Sequence, residues 1–161
     1  MGLRFRHLAA VTTGLTFALI LLGVYTAAAG AGLSCGARWP LCNGAVFGLF
    51  PANWPSFIEW FHRLVAMITG FFILGTTYVA WRDGKDRRTR IASAIALVTL
   101  PVQVLLGGAT VTIYTALVQV IHHAAALVIF AALVATTVWA YETPDTNRTS
   151  AGTTTGMSAD D

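Results

Sequence analysis

The chain has 161 residues, 56% of them hydrophobic and only 11% charged, with a mean hydropathy of +0.68. A soluble domain carries about 25% charged residues, so this composition excludes an ordinary soluble domain and marks an integral membrane protein. The formal charge is +3, but the basic residues fall at helix ends rather than on one surface, which argues against a nucleic-acid partner.

Arg4, Arg6 and His7 precede an uncharged run from Leu8 to Ser34. A basic start before an apolar core also describes a signal peptide, whose core is about 7–15 residues long. The run here is much longer, so the sequence predicts a retained first helix over about Leu8–Ala28. Gly14, Ala18, Gly23, Ala27 and Gly30 recur along it, and such small residues let membrane helices pack closely. Residues 29–56 hold too many Gly, Pro and Trp for a helix. They form a loop expected to fold over one end of the bundle, with its Trp residues at the membrane interface.

Pro55 and Ser56 signal the start of a second helix, about Phe57–Trp81, long enough to cross a bilayer. Glu59, His62 and Arg63 nevertheless sit in its first two turns. Ionisable groups near hydrocarbon are costly and mark a functional site by default. Glu59 and His62 share a helix face, which continues through Ala66, Thr69 and Ile73. Small groups below a histidine leave room for something large and flat.

The link from Arg82 to Arg90 holds five of the ten Lys and Arg residues. By the positive-inside rule it is cytoplasmic, which puts both termini inside and the loop 29–56 outside. No charged residue occurs from Ile91 to Tyr141. About 51 residues of helix would measure about 76 Å, more than two bilayers, so the chain must turn once, near Thr112–Thr115. That gives helices over about 91–111 and 116–141. The tail 142–161, rich in Thr, Ser, Gly and Asp, is expected to be disordered cytoplasmic chain. The predicted fold is therefore all-α and integral to the membrane: one domain, 1–141, a four-transmembrane-helix bundle with both termini cytoplasmic and a structured outer loop.

Helices two and four then descend from the same face. His62 lies about five residues into one and His122 about six into the other, roughly 7–10 Å deep in each case. A single histidine in a membrane helix can serve as a hydrogen bond between helices. Two at matched depth suit a haem held between imidazoles from opposite sides. Zinc usually takes a third or fourth ligand in a more polar shell. Neighbouring residues on a helix point about 100° apart, so one of His122 and His123 is expected to face the bundle. The His-x-x-x-Ala pattern shared with His62 and Ala66 favours His122, with His123 the alternate. Gln103, Gly107 and Thr110 line one face of helix three, and Gln103 needs a partner there, on another helix or on a haem or substrate group.

These residues fall into motifs. Gly32-Leu33-x-Cys35-Gly36-x-x-Trp39-Pro40-Leu41-Cys42-Asn43-Gly44 resembles the first outer loop of the haem A synthase family. Glu59-x-x-His62-Arg63 resembles the start of that family's second helix, Gln103-x-x-Leu106-Gly107-Gly108-x-x-Val111 its third, and His122-x-x-x-Ala126 its fourth. The motifs come in the family's order, over about residues 8–140. The resemblance implies oxidation of a ring methyl of haem O, through a hydroxymethyl stage, to the formyl group of haem A, and a bound b-type haem that takes part in electron transfer. Typical members have eight helices in two similar halves with a histidine pair in each. This chain resembles one half, which implies a homo-oligomer, or one site serving both cofactor and substrate. Haem O synthase is a further expected partner.

Under this resemblance Glu59 is the catalytic candidate, since a carboxylate near the ring edge stabilises developing positive charge or orients water. Its structural alternative is an ion pair with Arg63. Arg63 itself is expected at a haem propionate or at the lipid headgroups. Cys35 and Cys42, placed on the oxidising side, are expected to form a disulfide, as a structural staple or a redox pair. Two other functions are compatible with the sequence: an electron-transfer membrane cytochrome b, and a quinone-linked thiol oxidase. The six-residue spacing of the cysteines argues against the latter. The location expected is the cell membrane, with the loop 29–56 extracytoplasmic.

Overall fold

The computed structural model describes residues 2–36, 38–39, 42 and 51–142. These form four helices: α1 Gly2–Ala28, α2 Trp54–Arg82, α3 Arg87–Thr112 and α4 Ala116–Glu142. All four are long and apolar enough to cross a membrane, and the chain is a multi-pass membrane protein. The tail expected to be disordered lies outside the described residues beyond Glu142.

Three helices start earlier than their apolar runs, because hydropathy marks the buried stretch and not the caps. Helix α1 begins at Gly2 and takes in the basic residues ahead of Leu8. The N-cap of α2 is Asn53, whose side-chain oxygen accepts the Ser56 amide at 2.9 Å, with Pro55 in the first turn. Ser56 is therefore not the cap, and its hydroxyl instead donates to the Ser34 carbonyl at 2.9 Å. Asp86 caps α3 by accepting the amides of Arg88 and Thr89. Burial pushes the Asp86 carboxyl up, but the Thr89 hydroxyl and these amides outweigh it and hold it below the usual carboxylate range. The link between α2 and α3 turns at Gly84, φ 59°, a left-handed position that glycine occupies without strain. Between α3 and α4 the chain turns over 113–115.

Helix α1 packs against α2 and α4, and α3 packs against α2 and α4. The bundle is thus a ring in which α2 and α4 stand diagonally across the centre. Its two ends differ. We call them the loop end, where the α1–α2 connection lies, and the link end, where α2 passes into α3.

The link-side half is closed by hydroxyl groups. Thr12 and Thr76 meet at 2.8 Å, Thr13 and Thr137 at 2.9 Å, and the Thr77 hydroxyl donates to the Ser93 carbonyl at 3.0 Å. Small side chains carrying one hydroxyl allow close approach and a bond across the helix pair. Ile73, Ala96, Ile129 and Leu133 form a buried cluster at mid-bundle. At the link end itself, cations lie over aromatic rings: Arg6 over Tyr141, Lys85 over Phe5 and Arg90 over Trp81. Such pairs suit a membrane interface, where one end of a ring is wet and the other apolar.

Candidate functional site

The loop-side half opens into a cavity of about 690 Å³, walled by all four helices. That is the size of a site for one sizeable ligand. Ile73 and Ile129 of the central cluster form its floor. Glu59, His62, Arg63, Gln103, Gly107, Thr110, His122 and His123 all line it. The fold therefore brings together every cavity residue singled out from the sequence, from α2, α3 and α4.

Glu59 is buried, with 3% of its surface exposed. It stands one turn before Arg63 and forms an ion pair with it. Its other carboxylate oxygen accepts the Cys35 amide at 2.8 Å and the Ser34 hydroxyl at 3.1 Å. Arg63 in turn donates to the Arg38 carbonyl at 2.8 Å. The pair thus clamps the α1–α2 connection onto the cavity mouth. This is the structural role weighed for Glu59 against a catalytic one. Cys35 and Cys42 form a disulfide, and both are buried. Trp39 extends the wall, its ring lying where a side chain at Gly108 would touch it, 3.6 Å away. The sequence motif contained Trp39 but gave no sign that it would cover α3.

The two histidines come from diagonal helices. The start of α2 at Trp54 puts His62 eight residues in, roughly 12 Å along the axis, and His122 six residues into α4, roughly 9 Å. In each ring Nδ1 is shut off from contact and has no hydrogen-bond partner, leaving Nε2 as the nitrogen available to a ligand. His122 Nε2 lies 3.5 Å from the side-chain nitrogen of Gln103, whose own oxygen is buried and unpartnered. The expectation that only one of His122 and His123 faces the bundle does not hold. Both line the cavity, with their rings edge to face at 5.9 Å. The His123 Nδ1 is 2.7 Å from the Gln119 carbonyl, a bond that fixes its ring.

Three further wall residues have contacts of their own. The Thr110 hydroxyl donates to the Gly107 carbonyl at 2.7 Å and is used within its own helix. Gly107 faces His122, whose Cε1 would lie 3.5 Å from an added Cβ. Thr69, named from the sequence as a small neighbour of His62, is fully buried in the wall with an unpartnered hydroxyl.

Unpartnered polar atoms in a buried wall call for a partner. Here they are the Nδ1 atoms of two imidazoles, an amide oxygen and a hydroxyl, in a largely apolar wall that also carries the Glu59–Arg63 pair. Among the described residues no three His, Cys, Asp or Glu side chains are grouped as a metal cage would need. Two histidines without a third ligating side chain would fit a macrocycle that brings most of its own metal ligands.

The fold and this cavity define a class: a four-helix membrane bundle with histidines on diagonal helices lining one cavity. The chain belongs to the COX15-CtaA family of cytochrome oxidase assembly proteins, whose family profile matches residues 53–159. It is 33% identical over 112 residues to a protein named heme A synthase from Bacillus licheniformis, covering 69% of this chain and 36% of that one. It is 40% identical over 103 residues to a protein named protoheme IX farnesyltransferase from Halobacterium salinarum, covering 64% of this chain and 22% of that one. A heme A synthase from Listeria welshimeri is 34% identical over 90 residues, 55% of this chain and 30% of the relative. The chain thus spans about a fifth to a third of the length of these relatives. No solved structure matches it.

Proposed function

We propose that the chain is a haem A synthase, oxidising a ring methyl of haem O to the formyl group of haem A for the assembly of a terminal oxidase. The observation that carries this reading is the pair of imidazoles on diagonal helices that line one cavity, with Nδ1 of each buried and unpartnered and Gln103 3.5 Å from Nε2 of His122. His62 and His122 are the proposed iron ligands, with His123 the alternate. A b-type haem is the proposed cofactor, and when bound it supplies a centre that takes and passes on single electrons.

Converting the methyl to a formyl group removes four electrons and four protons and takes its oxygen from water. Glu59 is the proposed catalytic group. It is the one acidic side chain in the cavity wall among the described residues. A fixed carboxylate in a water-poor site stabilises positive charge as it develops at the ring edge and orients the incoming water. Arg63, beside it, is the proposed contact of a haem propionate. Gln103 and Gly107 are proposed contacts of the bound haem or of its ligand His122, and Thr110 shapes the wall through Gly107.

The basic link between α2 and α3 supports a cell-membrane orientation with that link and both termini cytoplasmic and the loop 29–56 outside. A homo-oligomer that keeps cofactor and substrate in separate copies is the proposed assembly. The match to part of a haem farnesyltransferase supports haem O synthase as a partner, since that chemistry delivers the substrate.

The test is expression of the full chain in cells that make haem O but no haem A, followed by pigment extraction. Haem A in the extract is the expected result. Bound haem without haem A would instead make the chain an electron-transfer cytochrome b. A preparation without haem would overturn both.

A further inference from the structure

A histidine that holds a metal usually donates its second ring nitrogen to a carbonyl or carboxylate, and that bond fixes the ring. His123 has such a bond to the Gln119 carbonyl, whereas His62 does not: its Nδ1 is buried without a partner. Something else must hold the His62 ring. The nearest candidate is on α1. A Cβ built at Gly23 would stand 3.0 Å from His62 Cε1, 3.6 Å from Nδ1 and 3.8 Å from Nε2. Gly14, also on α1, is not so placed, since nothing lies within 4 Å of a Cβ there. The counterpart across the cavity is Gly107 on α3, where the Cβ would be an ordinary 3.5 Å from His122 Cε1.

We infer that Gly23 is a positioning residue for His62, a notch in α1 that sets the plane and reach of the imidazole by contact alone. Glycine inside a helix costs about 1 kcal/mol relative to alanine. By propensity alone alanine would therefore be the better residue at this position. The notch accounts for the glycine: the imidazole edge occupies the space a methyl group would fill. Close-packed interiors transmit such displacements because there is no free volume to absorb them. A methyl at Gly23 must push the Cε1 edge of the ring away by a few tenths of an ångström, and that turns or withdraws the imidazole. The same change at Gly107 meets only ordinary contact, so the two notches differ in tightness and predict a ranked response.

The inference rests on the haem reading for one of its two measurements only. The full-length protein is prepared in detergent as wild type, Gly23→Ala, Gly107→Ala and Gly14→Ala, with helix content and elution volume checked for each. The first measurement titrates protohaem and records the low-spin optical and electron-resonance spectra. Gly23→Ala is expected to bind roughly tenfold to a hundredfold more weakly, as for an overpacked core, with a shifted low-spin signal. Gly107→Ala should change less, and Gly14→Ala not at all. The second measurement uses haem-free protein and follows diethyl pyrocarbonate modification of His62 by peptide mass analysis. Gly23→Ala is expected to change the rate at His62 by severalfold and leave His7 unchanged. Gly23→Ala indistinguishable from Gly14→Ala in the His62 rate would overturn the notch, whether or not haem binds. If wild type takes up no haem, the haem reading fails while the modification rates still decide the positioning role.

Discussion

In the link-side half, Thr12 meets Thr76, Thr13 meets Thr137, and Thr77 meets the Ser93 carbonyl, so the buried hydroxyls there find partners across the helix interfaces. In the loop-side half, the His62 and His122 Nδ1 atoms, the Gln103 oxygen and the Thr69 hydroxyl are buried and find none. The same four helices build both halves, and both are rich in small and polar side chains. What separates them is that these link-side hydroxyls are spent on holding helices together, although the Arg6 and Arg90 Nε atoms at that end are also buried without a partner. Leaving a buried donor or acceptor unpaired costs about 1–3 kcal/mol each. A fold that carries several around one cavity is held together elsewhere, and here that is the threonine-tied half. The loop-side clamp of Glu59, Arg63 and Cys35 lies between these extremes: its groups are paired, but with the connection that covers the cavity rather than with another helix.

The comparison breaks first at the histidines. If the unpaired imidazoles are there for a ligand, His62→Ala and His122→Ala should each lose bound haem, with affinity falling by more than about a hundredfold. Removing a mere outer partner of a metal ligand already costs about 10- to 100-fold. His123→Ala should retain haem, since it is His122 that shares the His-x-x-x-Ala pattern of His62. Haem content and the low-spin spectrum of each purified variant measure this. Normal spectra in the His122 variant with loss in the His123 variant would move the ligand by one residue, which the cavity wall permits because both rings line it.

Glu59 tests the clamp. Glu59→Gln keeps an oxygen that can accept the Cys35 amide, so the connection should stay in place, but it removes the charge. If the charge serves the oxidation, the variant binds haem and its haem A yield falls by about a hundredfold or more, the usual loss for one preorganised electrostatic group. Glu59→Ala removes both, and there the protein should also become sensitive to protease near residue 38. Bound haem, haem A and cleavage products measured on both variants separate the roles. Near-normal haem A in Glu59→Gln leaves Glu59 a clamp only.

The long apolar runs, the single turn forced on the segment from Ile91 to Tyr141 and the position of the basic link were all legible in the sequence, because hydrophobic length and charge are properties of segments. The starts of α2 and α3 were not, since Asn53 and Asp86 act as caps from outside the apolar runs. The convergence of His62 and His122 followed from similar depth on helices that enter from one side, while Gln103 was placed only on a face of a helix that enters from the other. Three features depended on contacts between distant positions. They are Glu59 bonding the Cys35 amide, Trp39 lying over Gly108, and Gly23 backing His62. Gly23 was visible only as one of several small residues, and spacing alone does not say which of them meets a functional ring. The facing of both His122 and His123 into the cavity escaped the 100° argument, because a cavity this wide accepts more than one direction from a helix.

The smallest effect expected is also the sharpest test of the division between the halves. The Thr12 hydroxyl donates to the Leu8 carbonyl at 2.8 Å, so in its contact with Thr76 it is the acceptor and Thr76 the donor. Both residues are fully buried. Valine keeps their shape and removes the bond. Hydrogen bonds between membrane helices are worth about 0.6 kcal/mol on average and at most about 1.7, because the separated helices find other partners. Thr12→Val and Thr76→Val, alone and combined, should therefore show a coupling energy of about 0.6 kcal/mol in reversible unfolding from mixed micelles. Bound haem and haem A yield should stay at the wild-type level in all three, since the pair lies on the far side of the Ile73 cluster from the histidines. A coupling near zero would mean that close packing of small side chains, not the hydroxyl bond, ties α1 to α2. Loss of haem in the double variant at unchanged stability would mean that the two halves are one unit, and that the satisfied hydroxyls are part of the site rather than its support.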